Sequence, residues 1–177
     1  TDEVEVWDVL DRLQDELGGP PDLVVCAAGV FGIAPVAEES VKSWDAHMAV
    51  NLRGAFLVAR ALVPAMLERK GGLIVNVGSI AGRKGFPGNA AYAASKFGLR
   101  GFHEVLLEEV RGTGVRATLV EPAATDTPLW DPLDPDSDPG LPDRAAMLAP
   151  DDVAEAVLFV ATRPESVRIP FLSLERA

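Results

Sequence analysis

The stretch Leu73-Ile74-Val75-Asn76-Val77-Gly78-Ser79 decides the fold of this chain. Residues 73–77 form a nearly continuous apolar run, which suits a strand buried on both faces in a parallel sheet. Gly71-Gly72 precedes the run, and the glycine-rich stretch 78–88 that follows reads as a loop. Working outward, the same kind of run recurs at Leu23-Val24-Val25-Cys26-Ala27, closed by Gly29, and at Val115 to Val120, ending at Pro122. Helical patterns lie between them. Residues 4–17 carry Val6, Leu10, Leu13 and Leu17 on one stripe and stop at Gly18-Gly19-Pro20-Pro21. Ser40 can cap a helix from Val41 to Glu68, which Gly54 and Pro64 are expected to bend or split. Further helices are expected over 91–111 and 151–162, and a last short strand over 167–174. This alternation predicts an α/β fold with a doubly wound parallel sheet covered by helices on both faces, in a single domain over residues 1–177.

Composition narrows the function classes. The chain has 177 residues, 48% hydrophobic and 24% charged, enough for one domain with a real core. Sixteen Lys plus Arg against 27 Asp plus Glu give a formal charge of −11. Such a surface repels phosphate backbones and anionic membranes, so no nucleic-acid or membrane partner is expected. Cys26 is the single cysteine, which permits no internal disulfide; with two histidines it leaves no tetrahedral zinc set. Asp134-x-Asp136-x-Asp138-x-Gly140 has the look of a calcium loop, but the glycine sits one place late, Pro135 and Pro139 intrude, and Ala145 holds the twelfth position. No metal is expected. No apolar run approaches the roughly 18 residues a membrane span needs. The acidic start Thr1-Asp2-Glu3-Val4-Glu5 is the opposite of a signal peptide, so the chain reads as cytoplasmic.

In open parallel sheets, ligands bind beyond the carboxyl ends of the strands. Three segments occupy those ends here: Ala27-Ala28-Gly29, Gly78-Ser79-Ile80, and Pro122 through Thr127. Tyr92-Ala93-Ala94-Ser95-Lys96 stands at the start of a helix, with Tyr92 and Lys96 on one face. A free phenol titrates near about 10, and a neighbouring ammonium is expected to pull that value down, making tyrosine usable as an acid and base. A Ser79 hydroxyl can donate a hydrogen bond to a substrate oxygen as charge develops there. Asn51 has two readings: a broken helix frees a carbonyl to hold a water, or the side chain satisfies backbone at a kink. His47 and His103 read as surface or packing residues, and Cys26 as a small core residue. Residues 128–142 hold prolines 128, 132, 135, 139 and 142 together with aspartates 131, 134, 136 and 138, so no packed helix or sheet strand is expected there. Either residues 128–148 close over substrate as a lid, with Leu129, Trp130 and Leu133 as apolar contacts, or they form a mobile acidic loop.

Ser79, then Tyr92-x-x-x-Lys96, with Asn51 upstream, resembles the catalytic tetrad of the short-chain dehydrogenase/reductase family. Cys26-Ala27-Ala28-Gly29 resembles the family's Asn-Asn-Ala-Gly turn with both asparagines replaced. Glu121-Pro122-Ala123-Ala124-Thr125-Asp126-Thr127 resembles its Pro-Gly-x-x-x-Thr nicotinamide loop, with Ala123 in place of glycine. The similarity runs essentially from Thr1 to Ala177. It implies a Rossmann-type fold and hydride transfer between NAD(P)(H) and a small alcohol or carbonyl. Tyr92 would be the acid in reduction and the base in oxidation. Lys96 would lower its pKa and hold the nicotinamide ribose, Ser79 would orient and polarise the carbonyl, and Asn51 would anchor a water in the proton relay. Ala28, Gly29, Pro122, Ala123, Thr125 and Thr127, with Tyr92 and Lys96, are the implied cofactor contacts.

The segment from Asp151 to Val157 through Arg168-Ile169-Pro170 is similar to the branch of NADP-using serine or 3-hydroxy-acid dehydrogenases, which favours NADP over NAD. The resemblance also implies a homo-oligomer, dimer or tetramer, built on the helices over 41–68 and 91–111. Their apolar residues Ala55, Leu62, Leu99, Phe102 and Leu106 suit either that assembly or core packing. Family members normally open with a strand, a glycine-rich turn and a helix that cradle the pyrophosphate. Here glycine-rich stretches occur only at 18–19, 71–72 and 78–88. By the resemblance Thr1 falls just after the third strand of the family fold, so the sequence reads as an N-terminally incomplete version of it, lacking roughly 60 residues. The strand over 23–27 would then be an open hydrophobic edge. The alternative is a truncated, non-catalytic paralogue acting as a binding or assembly subunit.

Overall fold

The computed structural model describes residues 2–177; Thr1, where the sequence reading begins, lies outside the described residues. Helix α1 (Glu3–Leu17) is set at both ends by its sequence. The Asp2 carboxylate accepts from the N–H groups of Val4 and Glu5, and Gly18 closes the helix at φ 70, a conformation glycine adopts without strain. Strand β1 (Leu23–Cys26) follows, then α2 (Val41–His47), capped by the Ser40 hydroxyl, which accepts from Ser43 N–H. A π-helical turn over Met48–Arg53 joins α2 to α3 (Gly54–Arg69). Next come β2 (Gly72–Val77), α4 (Ala90–Glu109), β3 (Val115–Pro122), α5 (Pro150–Ala161) and β4 (Phe171–Leu174).

The four strands pair in the order β1-β2-β3-β4, all parallel, with Val24 opposite Ile74, Ile74 opposite Ala117 and Val120 opposite Leu172. This is the doubly wound α/β sheet that the strand–helix alternation predicts. One face carries Ile74 and Ala117, packed against Ala59, Leu62 and Met66 of α3 and Leu106 and Leu107 of α4, with Leu10 of α1 at the border. The opposite face carries Leu73, Val75 and Val120, packed against Val153, Val157 and Val160 of α5. Leu62, Met66, Ile74 and Val75 have no solvent exposure. Full burial of each such side chain contributes about 1.5–3 kcal/mol, so this two-sided core is the main stabilising element of the sheet. β1 lies at the sheet edge, and its Leu23 and Val25 remain 40% and 41% exposed on the α5 side, the open apolar edge anticipated for that strand.

Two boundaries differ from the sequence reading. The long helix does break, but at the π-helical turn directly before Gly54, while Pro64 sits inside α3 without ending it. Pro64 lies on the exposed side, where the carbonyl its missing N–H leaves free can turn to water. The last strand begins at Phe171 and not at Val167, because Pro170 has no N–H to give to a ladder. The helical stretch Val41–Arg69 contains an 18-residue window of mean hydropathy 1.4 and is long enough to cross a membrane. That apolarity is accounted for by Leu57, Leu62 and Met66, which are buried in the core.

Candidate active site

The end of β2 sets the first functional group. Gly78 N–H donates to Val120 O at 2.7 Å, so the chain leaves the sheet tied to β3. Ser79 is extended and buried, and its hydroxyl accepts from Ala81 N–H at 3.1 Å, opening a short turn over Ile80–Gly82. A hydroxyl that accepts from backbone still has its own O–H to donate elsewhere. The turn lies directly on α4: a Cβ at Gly82 would stand 2.9 Å from Lys96 O, so only glycine allows this approach.

Helix α4 supplies the next two groups. Lys96 is buried, donates from Nζ to Val77 O at 2.8 Å, and stands 5.6 Å from the centroid of the Tyr92 ring. Burial lowers its pKa to about 8, which leaves it mostly protonated at neutral pH. The Tyr92 phenol is pushed up by burial, and the neighbouring Ser79 hydroxyl draws it only partly back. The direction expected from Lys96 is thus corrected. Withdrawal of the phenol from water is the larger cause, and Tyr92 is held in its acid form.

Asn51, buried in the π-helical turn, joins these elements through its side chain. Its Oδ1 accepts from Val30 N–H at 2.8 Å, while Nδ2 donates to Val30 O at 2.9 Å and to Ser95 Oγ at 3.0 Å. Ser95 in turn donates to Tyr92 O at 2.7 Å. The Asn51 side chain thus pins the loop after β1 to the Tyr92 turn of α4, through bonds that do not bear on the water-holding reading, which concerns its main-chain carbonyl. Ser95 escaped the sequence reading, although its place beside Lys96 was visible.

The loops beyond the strands are also in place. Ala28 is exposed, and a Cβ at Gly29 would meet Asn51 Oδ1 at 3.3 Å. The loop from Pro122 to Thr127 is stitched by Ala123 N–H to Leu174 O, Asp126 N–H to Leu148 O, and Leu148 N–H to Ala124 O, at 2.8, 2.9 and 2.9 Å. The Thr125 hydroxyl donates within the loop to Ala123 O at 3.0 Å. Thr127 makes no side-chain cap to the turn it precedes, which leaves its hydroxyl for a ligand.

Residues 128–148 form short turns over Pro128–Leu133, Pro135–Ser137 and Arg144–Ala146. Arg144 organises them, reaching Asp126 Oδ1 at 2.5 Å and Asp131 Oδ1 at 2.7 Å, while its N–H donates to Asp136 Oδ1 at 2.8 Å. Of the aspartates that suggested a calcium loop, Asp136 meets this arginine, while Asp138 accepts from Gly140 N–H at 2.8 Å. Trp130 lies 4.7 Å from Phe31 between ring centroids, and Phe31 stands edge-on to Tyr92 at 4.9 Å. Leu129 is exposed and Leu133 half-buried. Phe31 and Arg144 carried no motif and were not singled out; a lone arginine in so acidic a segment was the available signal.

Neither histidine is on the surface. His47 is buried, with Nδ1 donating to Ser43 O at 2.8 Å and its ring edge-on to Tyr92 at 6.3 Å. His103 receives a hydrogen bond from Asn76 Nδ2 at 3.3 Å on Nδ1 and donates from Nε2 to Pro170 O at 3.1 Å. Burial lowers its pKa to about 4, so it is a neutral packing residue. Cys26 is half-buried beside Ala55, Leu99 and Leu119, and burial raises its thiol to about 11.

Comparison with known proteins agrees with this geometry. A family model described as short chain dehydrogenase matches residues 1–138. D-threitol dehydrogenase of Mycolicibacterium smegmatis is 38% identical over 81% of this chain, which spans only 57% of that protein's length. The crystal structure of serine dehydrogenase from Escherichia coli matches 97% of this chain and 71% of its own, at 31% identity and a TM-score of 0.82. The closed form of serine dehydrogenase complexed with NADP+ matches with the same coverage, at 32% identity and a TM-score of 0.85. With its parallel sheet, and with Ser79, Tyr92 and Lys96 brought together at the end of β2, this chain belongs to the short-chain dehydrogenase family.

Proposed function

We propose that this chain carries the catalytic part of an NAD(P)-dependent oxidoreductase that interconverts a small alcohol and its carbonyl. The observation that carries the reading is one buried wall: Lys96 lies over the Tyr92 ring and is anchored on Val77, two places before Ser79. Burying an ammonium and a phenol together costs stability, and chemistry is the reason to keep them there. Tyr92, protonated at neutral pH, is placed to give a proton to a carbonyl oxygen during reduction and to receive one from an alcohol during oxidation. The Ser79 hydroxyl, which lies beside the Tyr92 phenol, can donate to the same oxygen as charge grows on it. Lys96 supplies positive charge behind the phenol.

The residues present fit the nicotinamide end of such a cofactor. Thr127 has an uncapped hydroxyl, Gly29 brings backbone close to Asn51, and Lys96 has ammonium protons beyond the one given to Val77. Ala28, Gly29, Pro122, Ala123, Thr125 and Thr127, with Tyr92 and Lys96, would hold it, Thr125 through backbone alone. The bound nicotinamide supplies or accepts the hydride. NADP is the favoured form, by likeness to the serine dehydrogenase complexed with NADP+. Relatives acting on serine and on D-threitol make a small polar alcohol the substrate class to try first.

We further propose that residues 128–148 act as a lid whose Trp130 reaches the site through Phe31, all within the single domain. A homo-oligomer remains the favoured assembly. Ala55, Leu62, Leu99 and Leu106 are used in the core, so the faces available for it are Phe56, Phe97 and Val105, which are exposed. A cytoplasmic location is proposed from the single cysteine, which fits a reducing compartment. The test is nicotinamide-linked turnover by the full-length protein with small hydroxy acids and polyols. Substrate-dependent reduction of NADP or NAD is expected, rising with pH as Tyr92 gives up its proton; no turnover and no nicotinamide binding would favour the assembly-subunit reading.

A further inference from the structure

Glu121 is the last residue of β3 before Pro122, and its side chain is 2% exposed. A carboxylate taken out of water is costly unless each oxygen finds a partner, and a well-packed apolar residue would serve stability as well. Here the two oxygens are divided between different segments. Oε1 accepts from Arg100 Nη1 at 2.6 Å, and Oε2 faces Arg83 Nε at 3.5 Å. Arg100 stands one helical turn beyond Lys96 on α4. Arg83 closes the turn that Ser79 opens. The strand end holding Glu121 runs directly into the loop from Pro122 to Thr127.

Both arginines are braced on their far sides. Arg100 pairs with Glu104 at 3.2 Å and stacks on Phe171 at 4.5 Å. Arg83 donates from Nη2 to Ser173 Oγ at 2.5 Å and reaches Glu175 Oε1 at 3.7 Å. One buried carboxylate thus joins the segments that carry Ser79, Lys96 and the proposed nicotinamide loop, and each tie passes through a charged hydrogen bond or ion pair with defined geometry.

We infer that Glu121 is a positioning residue, holding the Ser79 turn and the Lys96 helix in register with residues 122–127. The inference rests on the oxidoreductase reading for its kinetic consequence, but its structural consequence can be measured without substrate. Hydrogen–deuterium exchange and steady-state kinetics on the full-length protein test it, comparing Glu121→Gln, Arg83→Met and Arg100→Lys with the parent. Glu121→Gln is expected to speed exchange in residues 79–86 and 122–127, and to lower kcat on the order of 10- to 100-fold with KM within about threefold, as a small misplacement of reacting groups does. Arg83→Met removes the more exposed tie, keeps the fold, and should loosen residues 79–86 while leaving α4 protected. Arg100→Lys keeps the charge and should retain most of kcat.

Unchanged exchange in both loops, or a loss of kcat matched by an equal loss of folded protein, would overturn the inference. A parent protein without turnover would instead count against the oxidoreductase reading, and the exchange comparison would still decide the role of Glu121.

Discussion

The wall formed by Ser79, Tyr92 and Lys96 and the segment over 128–148 both border the proposed substrate site, yet they are held by opposite means. The wall is buried, and its polar groups bond to the backbone of the sheet and of the loops beside it: Lys96 to Val77 O, Asn51 to both backbone groups of Val30, Ser79 to Ala81 N–H. The 128–148 segment is anchored at its end by buried Met147 and Leu148, but its turns gather on one arginine shared among aspartates that water also reaches, at side-chain exposures of 45% for Asp126 and 65% for Asp131. Buried bonds fix a position because leaving them unmade is expensive, whereas exposed ion pairs are weak and salt-sensitive. The difference suits a rigid acid–base centre beside the proposed lid.

The sharpest way to break this contrast is at Asn51. Asn51→Leu leaves Val30 N–H and C=O without partners and takes a donor from Ser95, so a loss of about 3 kcal/mol in unfolding free energy is expected. Chemical denaturation of the full-length protein measures it, and a loss below about 1 kcal/mol would mean that water replaces the amide freely.

His103 tests the buried side through pH. Its folded pKa lies at about 4 against 6.5 for a free imidazole, so between those values the unfolded chain binds the extra proton. The His103 share of stability is therefore complete above pH 6.5 and lost as pH falls toward 4. His103→Gln should flatten that part of the stability–pH curve, and an unchanged slope would refute the assignment.

The smallest effect is expected on the exposed side. Arg144→Met should barely move the melting temperature while speeding hydrogen exchange in residues 128–148. In the parent, high salt should produce the same local loosening. A large drop in melting temperature would place the segment with the rigid wall and remove the contrast.

The strands, the helices and the carboxyl-end loops were legible because each is specified locally. Leu73 to Val77 is apolar on both faces, and Gly18 and Ser40 mark helix ends in sequence. Ser79, Tyr92 and Lys96 could be read because spacing along a strand end and one helical turn fixes where they meet. What could not be read depends on distant partners. Glu121 looks like an ordinary charged residue until Arg83 and Arg100 arrive from other segments. The raised phenol pKa is not legible in the sequence because burial is a property of the whole fold, whereas Lys96 is visible nearby. The break at Met48–Arg53 was misplaced because a π-helical turn has no simple residue signature, unlike the Gly54 beside it.

The account stands most directly on Tyr92. Tyr92→Phe removes one oxygen from a buried ring and leaves Lys96, Ser79 and the loops in place, so in the full-length protein nicotinamide binding and melting temperature should match the parent. Turnover should fall by a factor on the order of 10² to 10⁴, the contribution of a positioned acid–base group. A variant that binds the nicotinamide and turns over at the parental rate would contradict the assignment of Tyr92 as the group that moves the proton.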